Sequence, residues 1–205
     1  MKNILTHLTI TLFGLLAFTS HMTAQSLSAG FEFGTGSSYM GENFDSGNQI
    51  DYNASITTGL NLKYTPTDAY FGIRFNVLYV STRFTGYGTR NYTYSGEVST
   101  LTTSILLEHL NQTKKLNFGY NWGMGITRED YSTLQLWNSR SDTRNFMSIS
   151  IGGILSYSLS ENSSLNLTPS LLWTDPVNTF RPDHWYRGGE DISALIQLGY
   201  TYKLK

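Results

Sequence analysis

Few residues in this 205-residue chain are equipped for acid–base, nucleophilic or metal chemistry. Cysteine is absent, which excludes thiolate ligands, thiol nucleophiles and a disulfide framework. His7 and His21 fall in an N-terminal stretch that reads as an export signal. His109 precedes Leu110-Asn111 on an apolar face, where an interfacial imidazole is the simpler reading. His184 stands in Asp183-His184-Trp185-Tyr186-Arg187. A loop histidine beside an aspartate has the donors for a metal or a general base, but no second histidine is near. No nucleophile, base and orienting group share a plausible register. The sequence therefore predicts no metal site, no cofactor and no enzymatic activity.

The remaining chemistry is ion pairing and recognition. Glu32, Arg74 and Glu108, with Lys63 and Lys203, lie on the polar side of stretches whose other side is apolar. Charges enclosed together must pair, because an isolated one is costly to bury. They can form a static plug, the favoured reading, or a gate that breaks and reforms to pass small ions. A second set falls in or near long connections: Tyr87, Arg90, Tyr92, Arg181, His184, Trp185 and Arg187. Tyr, Trp and Arg dominate binding hot spots, so this set is a candidate contact surface. The plain alternative is that these side chains fold back over the end of the fold.

Both sets must be held by strands. From Ile50 the even positions read Ile, Tyr, Ala, Ile, Thr, Leu, Leu, Tyr, while Asp51, Asn53, Ser55, Thr57, Gly59, Asn61 and Lys63 lie between them. That period of two marks a strand with one apolar face. Leu116, Phe118, Tyr120, Trp122, Met124 and Ile126 repeat it, as does Ile192 through Leu204. Weaker versions run from Leu27, Phe71, Leu101, Met147 and Leu165, the last with Pro169, which predicts a bulge. The count is eight. Short connections at 65–69, 111–115 and 160–163 alternate with long ones at 40–49, 85–96, 128–144 and 175–190. An antiparallel meander with its long loops at one end gives that alternation.

The apolar face is expected to look outward. The opposite face is mostly Ser, Thr, Asn and Gly, a poor surface for water but suited to the narrow interior of an eight-stranded barrel. No Lys or Arg falls on the apolar faces, where in lipid each would cost about 2–4 kcal/mol. Tyr64, Phe71, Tyr157, Tyr200 and Tyr202 mark one end of the apolar band, and Tyr39, Tyr52, Tyr79 and Trp173 the other. Aromatic residues collect in this way at bilayer interfaces. Met1-Lys2-Asn3, the apolar run Ile4–Phe18 and Met22-Thr23-Ala24-Gln25 read as a cleaved signal peptide over residues 1–24. Residues 25–205 then form the barrel. With 14 Lys+Arg against 15 Asp+Glu, no basic field exists for nucleic acid.

This pattern resembles the small OmpA/OmpX-type outer-membrane barrels. The Tyr-rich, Ala-Gln-processed style is most similar to the Bacteroidetes-type, PorT-like outer-membrane barrel family. The resemblance rests on pattern over residues 25–205, without a short diagnostic motif. It implies an all-β, eight-stranded antiparallel up-and-down transmembrane barrel with both termini periplasmic. Its partners would be outer-membrane lipid, lipopolysaccharide, the barrel assembly machinery and an unidentified surface or envelope protein. Such barrels commonly end on an aromatic residue, whereas this chain ends Tyr202-Lys203-Leu204-Lys205. The His-x-Ser pair of the lipid A deacylases is absent at both His109 and His184. The leading expectation is an anchor whose loops serve envelope integrity or surface recognition, with Arg181 and Arg187 suited to lipopolysaccharide phosphates. A narrow gated channel, an accessory part of a secretion system and a lipid A-modifying enzyme are the alternatives.

Overall fold

Alternating side chains make ladders here, and the ladders close on themselves. The structure is a computed structural model that describes residues 26–38, 49–66, 69–88, 92–111, 115–134, 140–176 and 191–204. Its strands are β1 (Ser26–Ser37), β2 (Gln49–Tyr52), β3 (Ser55–Thr65), β4 (Gly72–Gly88), β5 (Tyr92–Leu110), β6 (Leu116–Leu134), β7 (Arg140–Ser158), β8 (Ser163–Thr174) and β9 (Asp191–Lys203). β2 and β3 are two halves of one barrel strand, both paired to β4. Every pairing is antiparallel, and β1 pairs with β9 from Ser28↔Lys203 to Ser37↔Ala194. The result is a closed, eight-stranded, up-and-down antiparallel barrel. β1 starts opposite the end of β3, at Ser26↔Thr65, so both ends of the barrel segment lie on the short-turn side.

The two faces of each strand differ as the period requires. Phe31, Ile56, Leu60, Phe118, Met124 and Ile126 are exposed on the outside. Glu32, Thr57, Asn61, Asn121, Thr127 and Gln197 are buried within. This is the reverse of a barrel built for water on its outer face.

Three expectations need correction. The stretch from Ile50 to Tyr64 does not keep one face. Ile56 pairs with Ser81 but Tyr52 pairs with Phe84, so one extra residue is inserted at Asn53-Ala54. Such a bulge swaps the faces beyond it. Tyr52 therefore turns inside, its ring 5.7 Å from that of Phe84, and does not belong to the outer aromatic band.

Two of the four long connections are largely strand. The β4–β5 ladder runs to Gly88↔Tyr92 and the β6–β7 ladder to Thr133↔Arg140. β4 to β7 span 17 to 19 residues where β1, β3, β8 and β9 span 11 to 13. The extra length projects as a four-stranded wall at the long-loop end. Its sequence mixes polar residues into both faces, so no apolar alternation signals it.

Pro169 does not produce a bulge. The β7–β8 ladder lapses between Gly152↔Ser170 and Leu155↔Leu167, then resumes in the same register. The missing donor removes pairing without inserting a residue. The signal segment 1–24 and Tyr39 lie outside the described residues.

Candidate functional site

The lumen charges are brought together by strand register. Lys63 and Arg74 are ladder partners on β3 and β4, Glu108 sits opposite Gly72 on β5, and Glu32 comes from β1. Arg74 Nη2 donates to Glu32 Oε2 at 2.7 Å, and Nη1 donates to Glu108 Oε2 at 3.2 Å. Lys63 Nζ donates to Glu108 Oε1 at 2.6 Å. Thr168 of β8 donates to Glu32 Oε1 at 3.4 Å. Arg74 thus bridges two carboxylates, and two positive charges balance two negative ones. All four side chains are buried. Arg74 Nε has no hydrogen-bond partner among the described residues.

Lys203 is placed differently. It is exposed at the end of β9 and lines the mouth of a cavity of about 510 Å³ open at the short-turn end. No described ion pair includes it. Lys63, Arg74 and Glu108 also line that cavity, and its other walls are mainly Ser, Thr and Asn.

Above the ion pairs, apolar side chains enter the lumen in two layers among buried polar residues such as Thr82, Thr100, Thr102 and Ser193. Leu78, Val80, Leu172 and Leu195 form one buried layer. Nearer the long-loop end, Phe84 and Val98 pack with Tyr52, Tyr94 and Tyr131. The Phe84 and Tyr131 rings stack at 5.2 Å and 14°. Between these layers the void is only about 10 Å³ and shares no lining residue with the lower cavity. That volume holds about one water molecule. Sequence reasoning missed both layers, because a leucine or phenylalanine on a polar face reads as an exception to the pattern and not as a plug.

Outside the barrel, His109 lies in an aromatic cluster at the short-turn end. Its ring stacks on Tyr70 at 3.9 Å, near Phe71 and Tyr120, and Nδ1 is 2.8 Å from the Tyr70 carbonyl oxygen. On the wall, Tyr87 is an exposed residue of β4, and Tyr92 is a strand residue of β5 opposite Gly88. Arg90, Arg181, His184, Trp185 and Arg187 lie outside the described residues. The wall's outer face carries Arg128 and Asp130 at 3.2 Å. The Thr143 hydroxyl, at 2.6 Å, and then Arg128 hold the Asp130 carboxyl below its ordinary range. Among the described residues, no cluster of His, Asp and Glu could hold a metal.

A closed barrel with an apolar exterior and a filled polar interior defines the fold class of the small outer-membrane barrels. Comparison with solved structures agrees. A major outer membrane protein from Thermus thermophilus superposes with TM-score 0.63 at 12% identity, over 89% of this chain and 100% of that one. Neisserial surface protein A gives 0.55 at 9% identity, over 89% and 100%. OprG from Pseudomonas aeruginosa gives 0.54 at 12%, over 90% and 97%. Identities this low establish the fold alone. No family model and no curated protein sequence matches the chain.

Proposed function

We propose that this chain is a sealed barrel anchored in the outer membrane, exported behind a cleaved signal peptide, with no enzymatic activity. The observation that carries this reading is the closed lumen. A neutral ion-pair network and two apolar layers cross it in turn, and among the described residues the cavity at the short-turn end does not continue past them. The barrel is then a support, and the working surface is the wall of β4–β7 with the connections at that end. Its role is envelope integrity or surface recognition.

The outer apolar face supports placement in lipid. Leaving it in water would cost about 25 cal/mol for each Å², and every described residue from Phe118 to Ile126 on that face is apolar. Both ends of the barrel segment share the short-turn side, which corresponds to the periplasm in such barrels. The 14 tyrosines support a Bacteroidetes-type source within this class.

Two measurements test the reading. Cell fractions run on a gel with and without boiling should place the chain in the outer membrane with a heat-dependent shift. The folded protein should then show no ion conductance in planar bilayers. A soluble periplasmic chain would sink the anchor, and steady single-channel currents would sink the seal.

A further inference from the structure

The lower cavity is a pocket with one mouth. It opens at the short-turn end, holds about 510 Å³ and shares no lining residue with the void above it. Pockets of that size take small molecules, and the lining narrows which ones. Among the described residues, Leu110, Ile154 and Leu159 are its only apolar wall residues, and no aromatic ring lines it. A fatty acid would find little apolar surface to cover it. A nucleobase would find no ring on which to stack. What remains is a guest that hydrogen-bonds along its whole length.

Strand register sets the polar groups in rows. Ser28 on β1 is the ladder partner of both Lys63 on β3 and Lys203 on β9. All three line the cavity, so two ammonium-bearing side chains flank one hydroxyl. One pleat further in, Gly30 stands between Asn61 and Thr201. Those two side chains lean over the glycine, where a Cβ would lie 2.8 Å from Asn61 Oδ1 and 2.9 Å from Thr201 Oγ1. Asn166 Nδ2 donates to Thr201 Oγ1 at 2.8 Å and extends the row. Across the barrel, the buried ladder partners Asn117 and Ser156 present the same chemistry. Arg74, itself buried and lining the cavity, leaves its Nε–H without a partner.

Charge fixes the sign of the guest. Lys63, Arg74, Lys115 and Lys203 line the cavity with Glu108 and Glu161, and Glu32 takes one branch of Arg74. Among the described residues one positive charge is left over, and Lys203 enters no described ion pair. Lys63 Nζ gives one of its three protons to Glu108, which leaves two for a guest. Both terminal nitrogens of Arg74 already hold carboxylates, so its fork is engaged. The lysines act as point charges, which suits a single carboxylate.

We infer that this pocket binds a sugar acid, a single carboxylate carried on a polyhydroxyl chain. The carboxylate lies among Lys63, Ser28 and Lys203, and the hydroxyls bond to Asn61, Thr201 and Asn166 on one wall and to Asn117 and Ser156 on the other. This goes beyond the anchoring role and rests on it only for the compartment from which the guest enters, the periplasm.

The test is titration of the full chain in detergent micelles with D-gluconate, beside sorbitol and propionate, read by calorimetry. Sorbitol keeps the hydroxyl chain without the carboxylate, and propionate keeps the carboxylate without the hydroxyls. Gluconate should bind about tenfold more tightly than either, since it alone meets both sets of groups. Lys203→Gln should lower gluconate affinity about threefold, as for a rim charge in water, and leave sorbitol unchanged. Thr201→Val should weaken gluconate and sorbitol together, and Arg128→Gln, at the other end of the barrel, should match the wild type. Equal affinity for gluconate and sorbitol, or for gluconate and sulfate, would overturn the sugar-acid assignment. No binding of gluconate would mean that the cavity holds water alone. Each variant is first checked for its heat shift on gels. A wild type with no heat shift defeats the anchoring reading, whereas a heat-shifting chain indifferent to gluconate defeats only the pocket.

Discussion

Glu32 on β1 and Gly199 on β9 are ladder partners across the seam that closes the barrel, and the glutamate occupies the space a side chain at 199 would need. A Cβ there would come within 2.6 Å of Glu32 Cγ and 2.9 Å of the Phe31 carbonyl oxygen. The bare glycine lets Glu32 lean inward to Arg74 at 2.7 Å. The closing seam and the lumen ion pairs thus meet at one contact. Closure joins the first and last strands, the pairing with the greatest loop-closure cost, so crowding at this seam acts where the fold has little to spare.

Gly199→Ala should therefore weaken the barrel by about 1–3 kcal/mol, the usual penalty for overpacking. The readout is urea unfolding from phospholipid vesicles, together with the temperature at which the gel shift is lost. Paired with Glu32→Ala in a double-mutant cycle, the double variant should lose less than the sum of the two single losses. Strict additivity would mean that the two residues do not share the space.

Arg74→Ala should cost about 3–5 kcal/mol, because it leaves the Glu32 carboxylate and part of Glu108 buried without their counter-charge. It should not open a current. The layer of Leu78, Val80, Leu172 and Leu195 and the layer of Phe84 and Val98 remain above it, and only R74A combined with L78A, L195A and F84A should conduct in planar bilayers. Conductance in R74A alone would turn the network from a plug into a gate.

The legible and hidden parts of this structure separate on physical grounds. The run from Leu116 to Ile126 is readable because one of its faces is wholly apolar. The upper ladder from Arg83↔Glu97 to Gly88↔Tyr92 is hidden because both of its faces are mixed. The inward charges could be placed on a face from periodicity. Their pairing depends on the stagger between strands, which sets Gly72 opposite Glu108 and which no single strand encodes. Tyr52 failed for a related reason: one inserted residue at Asn53-Ala54 exchanges the faces without altering the local pattern.

The wall's inner face rests on aromatic rings laid over cross-strand glycines. Phe84 covers Gly96, where a Cβ would lie 2.4 Å from its Cζ, and Tyr94 covers Gly86. Phe84→Ala should empty this packing at a cost of about 3–5 kcal/mol. The wall should then loosen before the barrel does. Trypsin should cut after Arg83 and Arg128 faster than in the wild type, while the heat shift survives. Unchanged cleavage would show that the ladder alone holds the wall.

A depth-dependent penalty for charge on the outer face separates a membrane barrel from a soluble one. Leu60 and Ile56 are both on β3, both outward and similarly exposed, at 66% and 68%. Leu60 lies near the middle of the belt, between Phe31 and Val77 in the ladder, and Ile56 lies near the long-loop end. In lipid, Leu60→Arg should cost about 2–4 kcal/mol, with a smaller loss for Ile56→Arg as the guanidinium reaches the interface. Equilibrium unfolding from vesicles reads both. In water an exposed arginine at either site is nearly neutral and improves solubility. Equal and negligible costs at the two positions would therefore mean that this belt does not meet lipid, and a graded pair of costs fixes which residues lie deepest in the bilayer.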